Sequence, residues 1–436
     1  MKKILYGCCL AALLSSCALG EKTPLNVEGE RVSVIRENKN LTPDARGEKI
    51  KLPRAKTNFE WSHHGVNAIH TGGHLKAGGN LDELWDKSFG SGTSKRNVLI
   101  ATPVANKENV FTIDANGVVK AFDLENGKEI WERRLKPANK KAKAASLSGA
   151  GLALKADKLF ATTGFGVVFA ININDGSVAW EQNVKSPMRS APAVDGDLVV
   201  VQTLDNGVFA LKIKDGNILW KDKLEEESTT MIGGSSPAYS AKDDLVVAAF
   251  SNGQIQAYKA STGTPLWMEW IISASSTESL ADITSVRANP IIENGVVYAV
   301  GYNSPMMAID MRTGVKIWQR DVAAASQPWL AGKYLFVLTT ESDLIAINKQ
   351  NGAIVWNTII PYADPDEKLG VTTSGPLLAN DALLVASSNG KLFSISPYSG
   401  RIMGIADIEK GVEASPMMIN ETLLLTTNDA DIIAYK

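Results

Sequence analysis

From about residue 81 to its end the chain consists of short apolar or alternating runs of four to six residues, each closed by Gly, Asn or Asp. One such stretch is Asp197-Leu198-Val199-Val200-Val201, the turn Asp205-Asn206-Gly207, then Val208-Phe209-Ala210-Leu211. Runs of this length between turn residues predict strands joined as hairpins. They also recur in register. Seven times a pair such as Ala-Phe or Ala-Ile is followed, six residues after its first member, by a glycine. The pairs begin at Ala121, Ala170, Ala210, Ala257, Ala308, Ala346 and Ser394, and the glycines are Gly127, Gly176, Gly216, Gly263, Gly314, Gly352 and Gly400. Four residues after the first six glycines stand Trp131, Trp180, Trp220, Trp267, Trp318 and Trp356; the seventh copy has Gly404 there.

The tryptophans lie 49, 40, 47, 51 and 38 residues apart, so the motif is rigid while the connections vary. Dipeptides such as Asn126-Gly127 and Asp175-Gly176 mark hairpin turns that need positive φ, and each tryptophan falls on the strand that follows. A four-stranded antiparallel unit of about 45 residues repeated around an axis is a β-propeller blade. In the last copy, from Ser415 to Lys436, the chain ends where its fourth strand is due. Leu81-Asp82-Glu83-Leu84-Trp85-Asp86 lies 46 residues before Trp131, with no upstream strands of its own. The expected fold is therefore all-β: an eight-bladed propeller over residues 59–436, its last blade closed by this N-terminal strand, which leaves no open sheet edge.

Composition adds limits. The 436 residues are 44% hydrophobic and 21% charged, with 45 Lys+Arg against 47 Asp+Glu, which excludes disorder and gives no electrostatic footprint for a nucleic-acid partner. Lys2 and Lys3 precede an apolar run from Ile4 to Leu14, too short to span a bilayer, and Ser15-Ser16-Cys17 follows. Residues 1–16 read as a signal peptide. Leu14-Ser15-Ser16-Cys17 resembles the bacterial lipobox, which implies acylation of Cys17; an ordinary secretory signal cut nearby is the alternative. Ala18 and Leu19 do not resemble the inner-membrane retention signal, so a lipid anchor on the periplasmic face of the outer membrane is expected. Cleavage also removes Cys8 and Cys9, leaves no disulfide to form, and moves the formal charge from −2 to −4. Stability must then rest on a large core. Residues 17–58 are charge-dense and aperiodic and read as a flexible tether, with Val32-Ser33-Val34-Ile35 as a candidate edge strand.

The Gly-x-x-x-Trp copies resemble the repeats of the quinoprotein (PQQ) propeller superfamily from about residue 60 to 436. With the lipobox and this length, the chain resembles the BamB family of outer-membrane protein assembly factors. That resemblance implies a non-catalytic scaffold, without cofactor, that docks on the periplasmic POTRA domains of BamA and contacts unfolded outer-membrane proteins. Ser276-Thr277-Glu278, Leu280-Ala281-Asp282-Ile283 and Pro290 resemble one partner loop of the family, so Asp282 and Ile283 carry over as contacts. The second loop's Leu-x-Leu-Arg pattern falls on Thr229, Thr230, Met231 and Ile232; an apolar residue survives at Met231 and the arginine is lost. Arg287 is the candidate replacement charge. Both loops are long connections between adjacent blades, which suits docking as well as plain solvated linkage.

Other chemistry finds little support. His63, His64, His70 and His74 lie within twelve residues, and His70 and His74 have the i, i+4 spacing of a helical metal site. Gly65, Gly72 and Gly73 argue against a helix, and capping the propeller or lining its channel is the other reading. Gly164-Phe165-Gly166 is a strand-pair turn rather than a nucleotide loop. The basic stretch from Lys136 to Lys143 offers anionic contacts without an apolar anchor. A quinone-dependent periplasmic dehydrogenase is the alternative function; the mature chain cannot form the vicinal disulfide such enzymes place beside the quinone.

Overall fold

The computed structural model describes residues 41–45, 47–94, 97–136, 150–225, 234–271, 286–361, 371–408 and 410–436. Among them are strands β1–β33, in eight antiparallel sheets arranged as a propeller. Blades 1 to 7 span 104–134, 150–183, 193–223, 238–270, 291–320, 329–359 and 373–407. Blade 8 takes three strands from 417–435 and its outermost from β2 (Glu83–Ser88), as the missing fourth strand predicted. β2 pairs with β33 (Asp431–Tyr435) in the register Trp85↔Ala434 and Lys87↔Ile432. Lys436 N–H donates to the Asp82 carbonyl and Asp82 N–H to that of Lys436, at 2.9 and 3.1 Å, so hydrogen bonds stand where every other blade has a covalent turn.

The repeated residues explain one another. In four blades the second, third and fourth strands place an aromatic, an alanine and the tryptophan side by side: Phe111↔Ala121↔Trp131, Phe160↔Ala170↔Trp180, Tyr298↔Ala308↔Trp318 and Phe336↔Ala346↔Trp356. The small residue between lets the two rings approach, and their centroids lie 5.9–6.2 Å apart. Each tryptophan then reaches the next blade. Trp220 donates its indole N–H to the Ala260 carbonyl at 2.6 Å, and a Cβ on Gly263 would meet the Trp220 ring at 2.6 Å. Trp85, Trp131, Trp180, Trp267, Trp318 and Trp356 repeat this on Gly127, Gly176, Gly216, Gly314, Gly352 and Gly400, all at φ between 68° and 75°. The glycine is thus required twice, by its turn and by its neighbour's ring. Blade 7 faces the one blade with no such turn, and there the tryptophan is replaced by Gly404, whose surroundings are open.

Two expectations change. Residues 41–58, expected within the tether, are seated on the ring: Leu41 and Ile50 are buried, Ile354 N–H donates to Asp44 at 2.6 Å, and Glu48 accepts from Tyr334 and Asn348. Charged residues can dock when their carboxylates find backbone and side-chain donors, which an aperiodic sequence does not reveal. Strands also exist upstream of Leu81: β1 (Glu60–Trp61) adds to the innermost strand of blade 1, Val104–Asn106, as a fifth strand inside the channel. Residues 1–40, with Cys17 and Val32–Ile35, lie outside the described residues, as does the basic stretch after Lys136.

Candidate functional site: the plugged channel and the loop face

Residues 58–75 make a circuit of the propeller's hub and bond to the innermost strand region of every blade. The Asn58 carbonyl accepts from Asn420 of blade 8, Trp61 pairs with Ala105 of blade 1, and the Ser62 carbonyl accepts from Leu154 of blade 2. His63 reaches blade 3, the carbonyls of Ala68 and Ile69 accept from Tyr239 and Ile292 of blades 4 and 5, Gly73 N–H donates to Leu330 of blade 6, and Leu75 bridges Leu378 and Asn380 of blade 7. Inner strands of a propeller have no neighbour toward the axis, so this segment satisfies groups that would otherwise face channel water. It is fixed by packing too. Trp61 stacks on Trp329 with centroids 6.1 Å apart, and Trp329 donates its indole N–H to the Gly73 carbonyl at 2.7 Å.

The four histidines are built into this plug. Val194 N–H donates to His63 Nε2 at 2.9 Å, so the ring proton sits on Nδ1 and faces Ser62 Oγ at 2.9 Å. His74 is held alike: Asp381 N–H donates to Nε2 at 3.0 Å and Nδ1–H donates to the Pro53 carbonyl at 2.7 Å. His70 Nδ1–H donates to the Pro290 carbonyl at 2.7 Å. Burial pushes His63 down to about 3, helped by His70 and Lys155 and opposed by Asp195; burial likewise brings His70 to about 3 and His64 to about 4. His63 and His70 are thus neutral rings that tie the plug to the blades by hydrogen bonds. No cluster of three metal-ligating side chains occurs among the described residues.

The plug lies at the end of the channel where first strands turn into second ones. The other end, where blades are joined, opens into a funnel of about 640 Å³ floored by His64, Asn289 and Gln327 and walled by Arg189, Arg287 and Glu413 among others. Thr102, Ala191, Asn289, Gln327 and Ser415 line it, and each stands directly before a proline that opens an inner strand. That x-Pro repeat was the missed signal for channel-facing positions, since proline holds the residue before it extended.

Of the expected site residues, the structure places Arg287 on the funnel wall, partly exposed, together with Arg189, which the sequence reading had not singled out. Thr229, Met231, Ile232, Asp282 and Ile283 lie outside the described residues, but the roots of their loops do not. Ser235 Oγ donates to the Ala288 carbonyl at 3.2 Å and Ser236 N–H to Asn289 Oδ1 at 2.7 Å, lacing the entry to blade 4 to the entry to blade 5. Leu224 N–H donates to the Asn206 carbonyl, and Asn206 Nδ2 to that of Glu225, pinning where the first loop leaves blade 3. Beside it, burial raises the Asp205 carboxyl, but Lys223, Ser186 and Thr203 overcome that and hold it at about 2.

The funnel's donor set does not fit a quinone held by a cation. Among the described residues Glu413 is the single carboxylate lining it, and the floor amides are committed: Asn289 Nδ2 donates to Gln327 Oε1 at 2.8 Å and Gln327 Nε2 to the His70 carbonyl at 3.1 Å.

Comparison with known proteins gives three kinds of likeness. A family model described as outer membrane protein assembly factor BamB matches residues 115–358. The outer membrane protein assembly factor BamB of Aliivibrio fischeri is 31% identical over 350 residues, 80% of this chain and 87% of that protein. The crystal structure of BamB from Moraxella catarrhalis superposes with a TM-score of 0.67 at 16% identity, covering 82% of this chain and 99% of that one. The quinohemoprotein alcohol dehydrogenase of Comamonas testosteroni superposes almost as well, TM-score 0.66 at 13% identity over 87% and 81% of the two chains. At such identities the structural likenesses speak to fold alone.

Proposed function

Because the chain belongs to the family of the outer membrane protein assembly factor BamB, we propose that it is a non-catalytic scaffold of the β-barrel assembly machinery. It is held at the outer membrane on the periplasmic face through an acylated Cys17. It docks on the periplasmic POTRA domains of BamA and assists assembly and insertion of outer-membrane β-barrel proteins. One observation carries the docking surface: the roots of the two candidate loops are hydrogen bonded to each other through Ser235, Ser236, Ala288 and Asn289. Loops rooted on a shared rigid frame present their side chains together, at low ordering cost on binding. The partner contacts proposed on the two loops are Thr229, Met231, Ile232, Asp282 and Ile283, with Arg287 beside the root of the second.

Capture of the full-length lipoprotein from detergent-solubilised native membranes tests the reading. BamA is expected to co-purify, and Met231→Asp and Asp282→Lys are each expected to reduce the yield at least tenfold, the loss of about 1.4 kcal/mol or more. Absence of BamA from the unmutated capture rejects the assignment. A quinone-dependent dehydrogenase is the competing reading; stoichiometric uptake of a PQQ chromophore in the presence of calcium would establish it.

A further inference from the structure

We propose that residues 58–77 form an acid-releasable plug: at neutral pH the segment seals the hub, and protonation of His63 and His70 frees it and opens the channel from one face to the other. The inference starts from the bonds the segment makes. His63 joins the plug to blade 3 by accepting the Val194 N–H, and its second nitrogen is committed to Ser62. A proton added at Nε2 sets one N–H against another, so the contact turns from attractive to repulsive. His70 is 1% exposed and anchors the plug to blade 5 through Pro290; its carbonyl in turn receives the Gln327 amide of blade 6. Among the described residues no carboxylate acts on that ring.

The groups around the pair do not offset the effect. His63 and His70 face each other's field, so charging one opposes charging the other. Asp195, which favours a charge on His63, is already paired with Lys155 at 2.9 Å and accepts the Ala241 N–H at 2.9 Å. His64 adjoins His70 and faces the funnel with Arg189, Arg287 and Glu413; burial holds it at about 4, so it takes up a third proton on release. His74 ties the segment to blade 7 by accepting the Asp381 N–H and donating to the Pro53 carbonyl. Burial and these neighbours keep His63 and His70 neutral in place, whereas freed rings titrate near 6.5. Between about pH 6 and pH 4 release gains about three protons, one each at His63, His64 and His70, and the open-to-closed ratio rises about a thousandfold per pH unit.

Hydrogen–deuterium exchange of the full chain, read as protection factors corrected for intrinsic rates, tests this between pH 7.5 and 4.5. Peptides covering 58–77 are expected to lose protection about a thousandfold per unit between roughly pH 6 and pH 4.5, while the second and third strands of the blades keep theirs. The His63→Gln/His70→Gln variant, whose amides can accept and donate without titrating, is expected to keep only the dependence of about tenfold per unit that His64 supplies. Unchanged protection of 58–77 in the natural chain down to pH 4.5, or its loss in step with the blades, overturns the proposal without recourse to the variant. An identical acid profile in a folded double variant also overturns it.

Discussion

Seven tryptophans and seven glycines form the contacts that recur around the ring, and their pairing separates two costs that usually travel together. Gly263 and Gly295 share nearly the same left-handed φ, +75° and +83°, but a Cβ on the first meets the Trp220 ring while a Cβ on the second meets nothing within 4 Å. Gly295→Ala should therefore cost about 1 kcal/mol of backbone strain. Gly263→Ala adds overpacking against the ring and should cost about 2–4 kcal/mol. Urea midpoints of the two variants check this, and equal losses would mean the ring does not rest on the glycine. The motif itself was legible, because both residues recur at fixed spacing. Its partner was not: Trp220 serves the glycine of the following blade, 43 residues on, and connections of unequal length hide that relation. The histidines were opaque for a similar reason. Val194, Pro290, Pro53 and Asp381 are distant in the chain, and two of the four contacts use backbone carbonyls that any residue supplies.

Strands and straps divide in the same way between pattern and particular contact. Blade strands announce themselves by alternation, and the deficit of one strand at Lys436 with a surplus at Trp85 foretold the seam. The stretch 41–58 carries no pattern because single side chains seat it: Asp44 on Ile354 and Arg320, Glu48 on Tyr334 and Asn348, Thr57 on Glu421. At the seam the outermost strand has no covalent turn to its blade, which makes Trp85 different from its repeats. Trp85→Ala and Trp267→Ala remove rings of similar burial, and each should cost about 3–5 kcal/mol in packing. Only Trp85→Ala frees β2, exposing the unpaired edge of β33, so it should also broaden the urea transition and yield oligomers on gel filtration. Monomeric, equally cooperative behaviour of both variants would show that the seam is no weaker than a turn.

The ring and its plug share one thermodynamic account, which fixes the direction of the whole molecule's pH dependence. His63 and His70 have folded values near 3 against 6.5 when free, so they contribute stability that is fully present above about pH 6.5 and lost as pH falls. With His64, held at about 4, three such groups give a slope of about 4 kcal/mol per pH unit between about pH 6 and pH 4. Carboxylates held low, such as Asp205 at about 2, act in the same direction but only below about pH 4, so the window between belongs to the histidines. If the plug and the blades come apart only together, the slope continues down toward pH 4. If the plug leaves first, its histidines are already protonated in the still-closed ring, and further acid no longer separates folded from unfolded chains. The free energy of blade unfolding should then fall from pH 6.5 and flatten at the pH of release, in contrast to an unbroken line. Equilibrium unfolding at half-unit intervals, followed by far-ultraviolet circular dichroism, distinguishes the two, and a flattening that coincides with loss of protection in 58–77 ties the break to the hub. The eight sheets owe their closure to β2 and their sealed axis to the segment before it, so acid should act on the second while sparing the first.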